Sequence, residues 1–132
     1  MFEIIAHTAD VRLRVTAPTL EVLFTEAVRG MYAVMRAHPG HTRVEQAVII
    51  DDSPEITVLL VDFLNEVLRR AYTAKEMYTR VFISYLDETT VEALLFGVTP
   101  SSFEEDVKAV TYHEADVHRE GDAWTTMLVF DI

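Results

Sequence analysis

The spacing of apolar residues changes once along this 132-residue chain, near Tyr78. Before that point, two long segments repeat apolar residues every three or four positions, which predicts amphipathic helices. From Tyr78 onward, apolar and polar residues alternate, as they do in half-buried strands. Two helices in the first part and strands throughout the second predict an α+β fold rather than alternating α/β.

Each predicted helix has a recognisable start. The first begins at Leu20, with Thr19 as its N-cap, and His38-Pro39-Gly40 is expected to end it. The second follows Ser53-Pro54-Glu55, where Ser53 would be the cap and Pro54 would occupy the first turn. This second helix is the most apolar segment of the chain, so we expect it in the centre of the core. One arc of it is polar, and we interpret that arc as solvated: Asp62, Asn65, Glu66, Arg69 and Arg70.

The remaining segments predict about six to seven strands in one domain that covers residues 1–132. After a short apolar start, the patterns place them near Val11–Val15, Val44–Ile50, Val81–Leu86, Val91–Val98, Val107–His118 and Trp124–Phe130, with a break at Thr99–Ser102. We expect one twisted, mostly antiparallel sheet with both helices packed on one face. Connections of the strand-helix-strand type usually join parallel neighbours, so this sheet is predicted to be mixed.

Charge limits the kinds of partner that the chain can bind. It has 22 acidic residues against 11 Lys and Arg, for a formal net charge of −11. Such a field repels phosphate backbones, which argues against direct binding of RNA or DNA and favours a basic protein or a cation. The chain has no cysteine, no secretory leader pattern and no apolar run of membrane-spanning length. We therefore expect a cytoplasmic protein without membrane attachment.

Acidic groups close to the two chain ends suggest a cation site. His7-Thr8-Ala9-Asp10 precedes the first clear strand, and Asp131 with Ile132 follows the last one. If the ends meet, the carboxylates of Asp10, Asp131 and the terminus would repel one another unless a cation joined them. An all-oxygen set suits Ca²⁺ or Mg²⁺ better than Zn²⁺. The alternative is that Asp10 only starts a turn and the terminus frays in water.

Three other residues could carry chemistry. His7 and His113 could be metal ligands or general bases, or they could be hydrogen-bonded structural histidines. Lys108 could pair with a carboxylate, face a phosphate-bearing partner, or be solvated beside its acidic neighbours. Glycine-rich phosphate loops, nucleophile elbows and HExxH motifs are absent from the sequence, which gives little support to an independent enzyme.

Four motifs in order resemble the archease family nearly from end to end. They are His7-Thr8-Ala9-Asp10 before an alternating strand, the helical Leu60–Glu66, Lys108–His113, and Trp124 with the final Asp131-Ile132. The resemblance implies a small protein cofactor of the tRNA-splicing RNA ligase, which joins 2′,3′-cyclic-phosphate or 3′-phosphate ends to 5′-hydroxyl ends. Such a cofactor promotes GTP-dependent guanylylation of the ligase and multiple turnover. RNA would then be contacted only through the ligase.

The resemblance also implies site residues. It assigns a metal ion, usually Ca²⁺, to Asp10, Asp131 and Ile132, and a part in ligase activation to Lys108, with His7 and His113 as further candidates. One departure is Arg12, which stands where members often carry glycine and could pair with Asp10. Two other functions stay open. A small metal-dependent phosphoester hydrolase would use Asp10, Asp131 and the two histidines, and a metal-free adaptor would use none of them.

Overall fold

The computed structural model describes residues 1–6 and 10–132, with only the backbone described at Ala6. The elements of this part of the chain are β1 (Phe2–Ala6), β2 (Asp10–Ala17), α1 (Leu20–Met35), β3 (Ala37–Ile50), α2 (Ile56–Thr73), β4 (Met77–Leu86), β5 (Val91–Phe103), β6 (Ala109–Thr111), β7 (His118–Glu120) and β8 (Ala123–Asp131). The α+β class is confirmed. In this part of the chain, neither helix combines the length and apolar composition that a membrane-spanning helix needs.

The strands form two sheets, so the prediction of one sheet is wrong. A five-stranded sheet has the order β1-β2-β8-β6, with β7 also paired to β8, and a three-stranded sheet has the order β3-β5-β4. Helix α1 packs against β2 of one sheet and β4 of the other. It therefore buries nine of its 16 residues, more than a single sheet face would cover.

All strand pairs among the described residues are antiparallel, so the predicted mixed sheet is also wrong. The crossover through α2 does connect two strands of the same direction, β3 and β4. Strand β5 lies between them and runs antiparallel to both. The crossover rule thus predicted the strand directions correctly, but it did not foresee that a later strand would be inserted.

Helix α1 begins as predicted and ends early. The Thr19 side chain accepts a hydrogen bond from the Val22 amide at 3.2 Å, which confirms the cap. The helix stops at Met35 because Arg36 adopts a left-handed conformation with φ of 49°. The residues that were expected to stop it, His38-Pro39-Gly40, instead belong to β3.

Helix α2 is a core helix, as predicted, but it has a different cap. Its Phe63 ring lies 5.7 Å from the Phe24 ring of α1, measured between centroids. The cap is Glu55, whose carboxylate accepts from the Val58 amide at 3.0 Å. Ser53 is buried and bonds elsewhere: its amide donates to Thr89 O and its hydroxyl to Asp62.

The hairpin of β4 and β5 is confirmed, although β5 does not break at Thr99–Ser102 and continues to Phe103. The closest backbone approach to a glycine of this sheet is at Gly97, which faces a bulge of β4. A Cβ atom there would lie 1.9 Å from the Met77 carbonyl oxygen. No other residue type has room at such a distance, so the local bend of the sheet depends on Gly97.

The single strand predicted from Val107 to His118 is wrong. From Val107 onward, β6 and β7 are separate strands that pair with β8 on the side opposite β2. The intervening chain leaves the sheet, and α2 side chains bond backbone groups of Val107, Val110 and Val117. We call residues 107–117 the edge segment, because they complete one edge of the five-stranded sheet.

Candidate metal and partner-binding site

The two chain ends lie side by side in the five-stranded sheet. Asp10, the first residue of β2, is directly opposite Asp131, the last residue of β8, and Asp131 is opposite Ala109 of β6. Residues opposite one another in antiparallel strands project to the same face. The next row has the buried Val110 and Phe130, which face the core, so Asp10 and Asp131 lie on the face away from it.

Lys108 and Ile132 lie next to this pair. The Lys108 amide donates a hydrogen bond to the Asp131 carbonyl oxygen at 2.7 Å, and the lysine is exposed. Ile132 is partly buried and packs against the core, which anchors the chain beyond β8. The structure thus brings together Asp10, Asp131, Ile132 and Lys108 from the set predicted by the sequence.

Arg12 pairs with Asp10, as its position in the strand indicated. Its Nη1 lies 2.9 Å from Asp10 Oδ1, and its Nε lies 2.7 Å from Glu114 Oε2. The hydrogen bond to Glu114, and then the charge of Asp10, raise the pKa of the Arg12 guanidinium further above its usual range. The arginine remains charged and provides a cation beside the carboxylates. Any metal ion at Asp10 has to share that carboxylate with Arg12.

Glu114 is held in an uncommon backbone conformation. Its φ is 61°, in the left-handed region that residues other than glycine seldom adopt. The surrounding turn is fixed at both sides: the Ala115 amide donates to Tyr112 O at 3.2 Å, and the Tyr112 hydroxyl donates to Asp62 of α2. Such contacts can maintain a strained residue where its side chain has a role. Here they place the Glu114 carboxylate on Arg12.

Helix α2 positions the edge segment through its polar side chains. Asn65 makes two bonds to Val110, accepting from the Val110 amide at 2.9 Å and donating to the Val110 carbonyl at 2.8 Å. Tyr72 accepts from the Val107 amide at 2.8 Å, and Thr57 accepts from the Val117 amide at 3.0 Å. The interpretation of the polar arc as solvated is therefore wrong at Asn65.

Asp62 is the second residue at which that interpretation fails, since it binds Tyr112 and Ser53. Sequence reasoning missed both Asn65 and Glu114. Asn65 lies in the helical motif of the family resemblance, so a signal was present, but periodicity alone marks it only as polar. Glu114 follows the Lys108–His113 motif directly and has no signal of its own, because its importance comes from the contact with Arg12.

His113 lies in the turn after β6, outside a strand, and no described contact joins it to Asp10 or Asp131. His7, together with Thr8 and Ala9, lies outside the described residues. Within residues 1–6 and 10–132, no group of three or more His, Asp or Glu side chains is arranged to hold a metal ion. A metal site here would combine two aspartates with a main-chain carboxylate.

The donor chemistry of this set fits a hard divalent cation. Carboxylate oxygens are the ligands that Ca²⁺ and Mg²⁺ prefer, and Asp10 and Asp131 provide them from adjacent strands. Two acids face to face on a sheet also repel each other, which favours a positive group between or beside them. Arg12 supplies part of that charge. Asp131 could act in two ways: its side-chain carboxylate could bind an ion, and its main-chain carbonyl fixes the position of Lys108.

Comparisons with known proteins agree on one family. The chain matches the archease protein family over residues 2–132. An archease from Methanosarcina barkeri is 28% identical over 142 residues, which cover 99% of this chain and 95% of that protein. An archease from Aeropyrum pernix is 32% identical, with 96% of this chain and 93% of that protein covered.

Solved structures share the fold. The crystal structure of an archease from Thermotoga maritima, described as a possible chaperone, superposes with a TM-score of 0.69 at 21% identity, covering 97% of this chain and 94% of that one. The solution structure of Methanobacterium thermoautotrophicum protein 1598 gives a TM-score of 0.69 at 22% identity, covering 99% and 98%. At these identities the likeness concerns the fold.

Proposed function

The chain belongs to the archease family, and from this premise we propose that it is a protein cofactor that activates the tRNA-splicing RNA ligase. In this proposal it promotes guanylylation of the ligase by GTP and so sustains multiple turnover. The observation that carries the proposal is the position of Asp10 opposite Asp131, with Lys108 bonded to the Asp131 backbone. These are the residues of the family motifs, gathered where neighbouring strands of one sheet begin or end.

The reaction to be promoted defines what the site must do. A histidine nitrogen of the ligase attacks the α-phosphorus of GTP, an N–P bond forms, and the bond to the β-phosphate oxygen breaks to release pyrophosphate. Negative charge accumulates on the leaving pyrophosphate. Groups that orient the triphosphate and stabilise this charge lower the barrier. The exposed ammonium group of Lys108 is suited to that task.

We propose that Asp10, Asp131 and the main-chain carboxylate of Ile132 hold a divalent ion, most suitably Ca²⁺. When bound, the ion would neutralise the carboxylates and add positive charge at the edge that carries Lys108. Arg12 holds one oxygen of Asp10, so it would set the orientation of that carboxylate and limit how tightly the ion binds.

The overall charge agrees with a protein partner rather than RNA. A formal charge of −11 steers the chain toward a basic surface, and an RNA ligase must present one to its substrate. The chain would therefore contact RNA only indirectly. Because electrostatic steering is screened by salt, we expect association with the ligase to slow as ionic strength rises.

The decisive experiment is single-turnover guanylylation of the ligase with radiolabelled GTP, with and without this protein. We expect the rate to rise at least tenfold with the protein present. Asp10→Asn and Asp131→Asn should each remove most of that increase, and Lys108→Ala should reduce it. Matched controls are Asp122→Asn in the exposed turn before β8 and Lys75→Ala, the only other lysine, which should behave as wild type.

Other outcomes would select other functions. An unchanged guanylylation rate would reject the activator proposal. Hydrolysis of a phosphodiester by this chain alone, lost on chelation and in Asp10→Asn, would favour the hydrolase. A melting temperature that does not respond to Ca²⁺ or Mg²⁺ would remove the ion from the proposal, since a ligand of the native state raises that temperature.

A further inference from the structure

The three-stranded sheet has one face that points away from the helices and carries large exposed apolar side chains. We call it the outer face. Its largest exposed side chains are Ile49, Phe82 and Tyr85, with 61%, 56% and 48% of their surfaces accessible. Leu94 and Phe96 of β5 lie between them and are only partly covered by their neighbours. Exposed apolar patches of this kind are often functional surfaces.

The register of the three strands arranges this face in rows. In one row, Glu45 of β3 is opposite Phe96 of β5, and Phe96 is opposite Arg80 of β4. The Arg80 guanidinium lies over the Phe96 ring, 5.4 Å from its centroid. The row thus has an acid on one outer strand, a base on the other, and an aromatic ring between them.

The next two rows have apolar side chains at both ends. Ala47 of β3 is opposite Leu94, and Leu94 is opposite Phe82 of β4, which puts a small and a large side chain at the two ends of a row. Ile49 and Tyr85 end the next row, on either side of Glu92. In two of these rows the β3 residue has its complement on β4: Glu45 with Arg80, and Ala47 with Phe82.

The arrangement of side chains in these rows allows the outer face to pack against the same face of a second copy. A two-fold axis along β5 would bring β3 of one copy against β4 of the other, as in two aligned sheets packed face to face. Glu45 would then face Arg80 of the second copy, and Ala47 would face Phe82 of the second copy. We propose that the outer face is an interface between two copies of this chain.

The charges of the face favour a second copy over a basic partner. Two bases, Arg43 and Arg80, balance two acids, Glu45 and Glu92, whereas the chain as a whole carries −11. A basic ligase would be attracted to other, more acidic surfaces. Two copies repel each other least when they meet through a neutral face, and salt screens the repulsion that remains. Association should therefore strengthen as salt rises from low to moderate concentration.

The size of the face predicts a weak dimer. Three strands about 4.8 Å apart and four rows about 7 Å apart cover on the order of 400 Å² per copy, side chains included. The total of about 800 Å² lies below the 1,200 Å² at which stable interfaces begin. We expect dimers at high micromolar concentrations and monomers at low micromolar concentrations.

The experiment is sedimentation equilibrium of the purified chain from about 5 μM to 1 mM, with charge reversal as the specific test. Glu45→Arg and Arg80→Glu should each weaken dimerisation at least tenfold, and the double variant should restore it. Glu92→Gln should strengthen it, because Glu92 would meet its own copy across the axis. Phe82→Glu should abolish it. Arg14→Glu, on the outer side of the other sheet, is the control and should change nothing.

Three results would overturn the proposal: a monomer throughout this concentration range, a dimer that the single charge reversals leave intact, or a double variant that stays as weak as its parents. Far-ultraviolet circular dichroism of each variant separates lost association from lost folding. If Phe82→Glu instead weakens ligase binding with no dimer to disrupt, the face binds the ligase. Guanylylation by the Phe82→Glu monomer tests the activator role independently.

Discussion

The three-stranded sheet and the edge of the five-stranded sheet that carries the site are built in different ways. In the former, β4 and β5 form a hairpin through a short turn in which Asp87 Oδ1 accepts from the amides of Thr89 and Thr90, both at 2.9 Å. In the latter, the edge segment is bonded to side chains of α2, and Asn65 and Val110 are 45 positions apart in the sequence. The β4–β5 hairpin is defined by neighbours in the chain, whereas the edge segment, and β3 of the three-stranded sheet, depend on distant partners.

This difference explains where each kind of surface is found. The β4–β5 hairpin forms between neighbouring strands, and its outer face remains open to a partner. The edge that carries Lys108 and Glu114 is held by α2 as well as by β8. Geometry at the proposed ion site is therefore coupled to packing in the core. Substitutions in α2 that touch neither Asp10 nor Asp131 should still affect the site.

The largest expected effect is a loss of stability in the three-stranded sheet. Gly97→Ala places a Cβ atom 1.9 Å from the Met77 carbonyl oxygen and 2.7 Å from the Tyr78 Cα, both of them backbone atoms that cannot move independently. We expect a loss of about 3–4 kcal/mol in the free energy of unfolding, at the upper end for overpacked sites. Urea denaturation measures this loss. Gly121→Ala, where no atom lies within 4 Å, is the comparison for added bulk alone, although its φ of 61° adds a smaller backbone cost.

The next effect concerns the edge segment. Asn65→Ala removes both partners of the Val110 backbone and leaves a buried amide and carbonyl without hydrogen bonds, which costs about 2–3 kcal/mol. Hydrogen exchange should show faster exchange of the Val110 amide, while amides of the β4–β5 hairpin change less. Asn65→Asp keeps an acceptor for the amide and should lie between wild type and alanine. Equal loss of protection in both regions would contradict the contrast between them.

The same contrast decided what could be predicted from sequence. The β4–β5 hairpin, the Thr19 cap and the core position of α2 follow from periodicity and local turn chemistry, and the structure confirms them. The edge segment was predicted as one strand because its apolar residues alternate. Periodicity does not show that its hydrogen bonds go to α2. The division into two sheets was missed for a similar reason, since it depends on α1 packing against both.

At the site, sequence reasoning brought Asp10 and Asp131 together and indicated the pairing of Arg12 with Asp10, both of which are observed. Glu114 was missed because only the turn of the edge segment carries it to Arg12. A pattern of residues predicts which oxygens are near one another. How tightly an ion binds them depends on its competition with Arg12 for the Asp10 carboxylate, which is set by distances and charges in the folded state.

A smaller effect is expected when that balance is changed. Arg12→Gln removes the positive charge that lies 2.9 Å from Asp10 Oδ1, so a divalent ion no longer competes with a guanidinium. At an effective dielectric constant near 20, a gain of about 1 kcal/mol, or roughly fivefold in affinity for Ca²⁺, is reasonable after rearrangement. Isothermal titration calorimetry measures it. Arg14→Gln, on the same strand, is the matched control, and weaker Ca²⁺ binding in Arg12→Gln would mean that the arginine supports the ion.

The smallest effect concerns the link from α2 to the three-stranded sheet. Glu66 binds Arg69 at 2.7 Å and Arg70 at 2.8 Å, and Arg70 also donates to Ala47 O of β3 at 3.2 Å. These arginines, Arg69 first, lower the pKa of Glu66 from 4.5 to about 2. A pKa lowered by folding adds stability above pH 4.5 that is lost as the pH falls toward 2.

Glu66→Gln should therefore cost about 0.5–1 kcal/mol at pH 7, because partly exposed ion pairs are weak, and close to nothing near pH 2. Urea denaturation of wild type and variant at pH 7, 4 and 2.5 would show the difference shrinking as the pH falls. Glu88→Gln, in the exposed β4–β5 turn, supplies the baseline. A difference that stays constant with pH would mean that Glu66 acts through packing rather than charge. The link from α2 to the three-stranded sheet would then depend on uncharged contacts, as the partly buried Asn65 contact does. The two regions would in that case differ less than their bonding suggests.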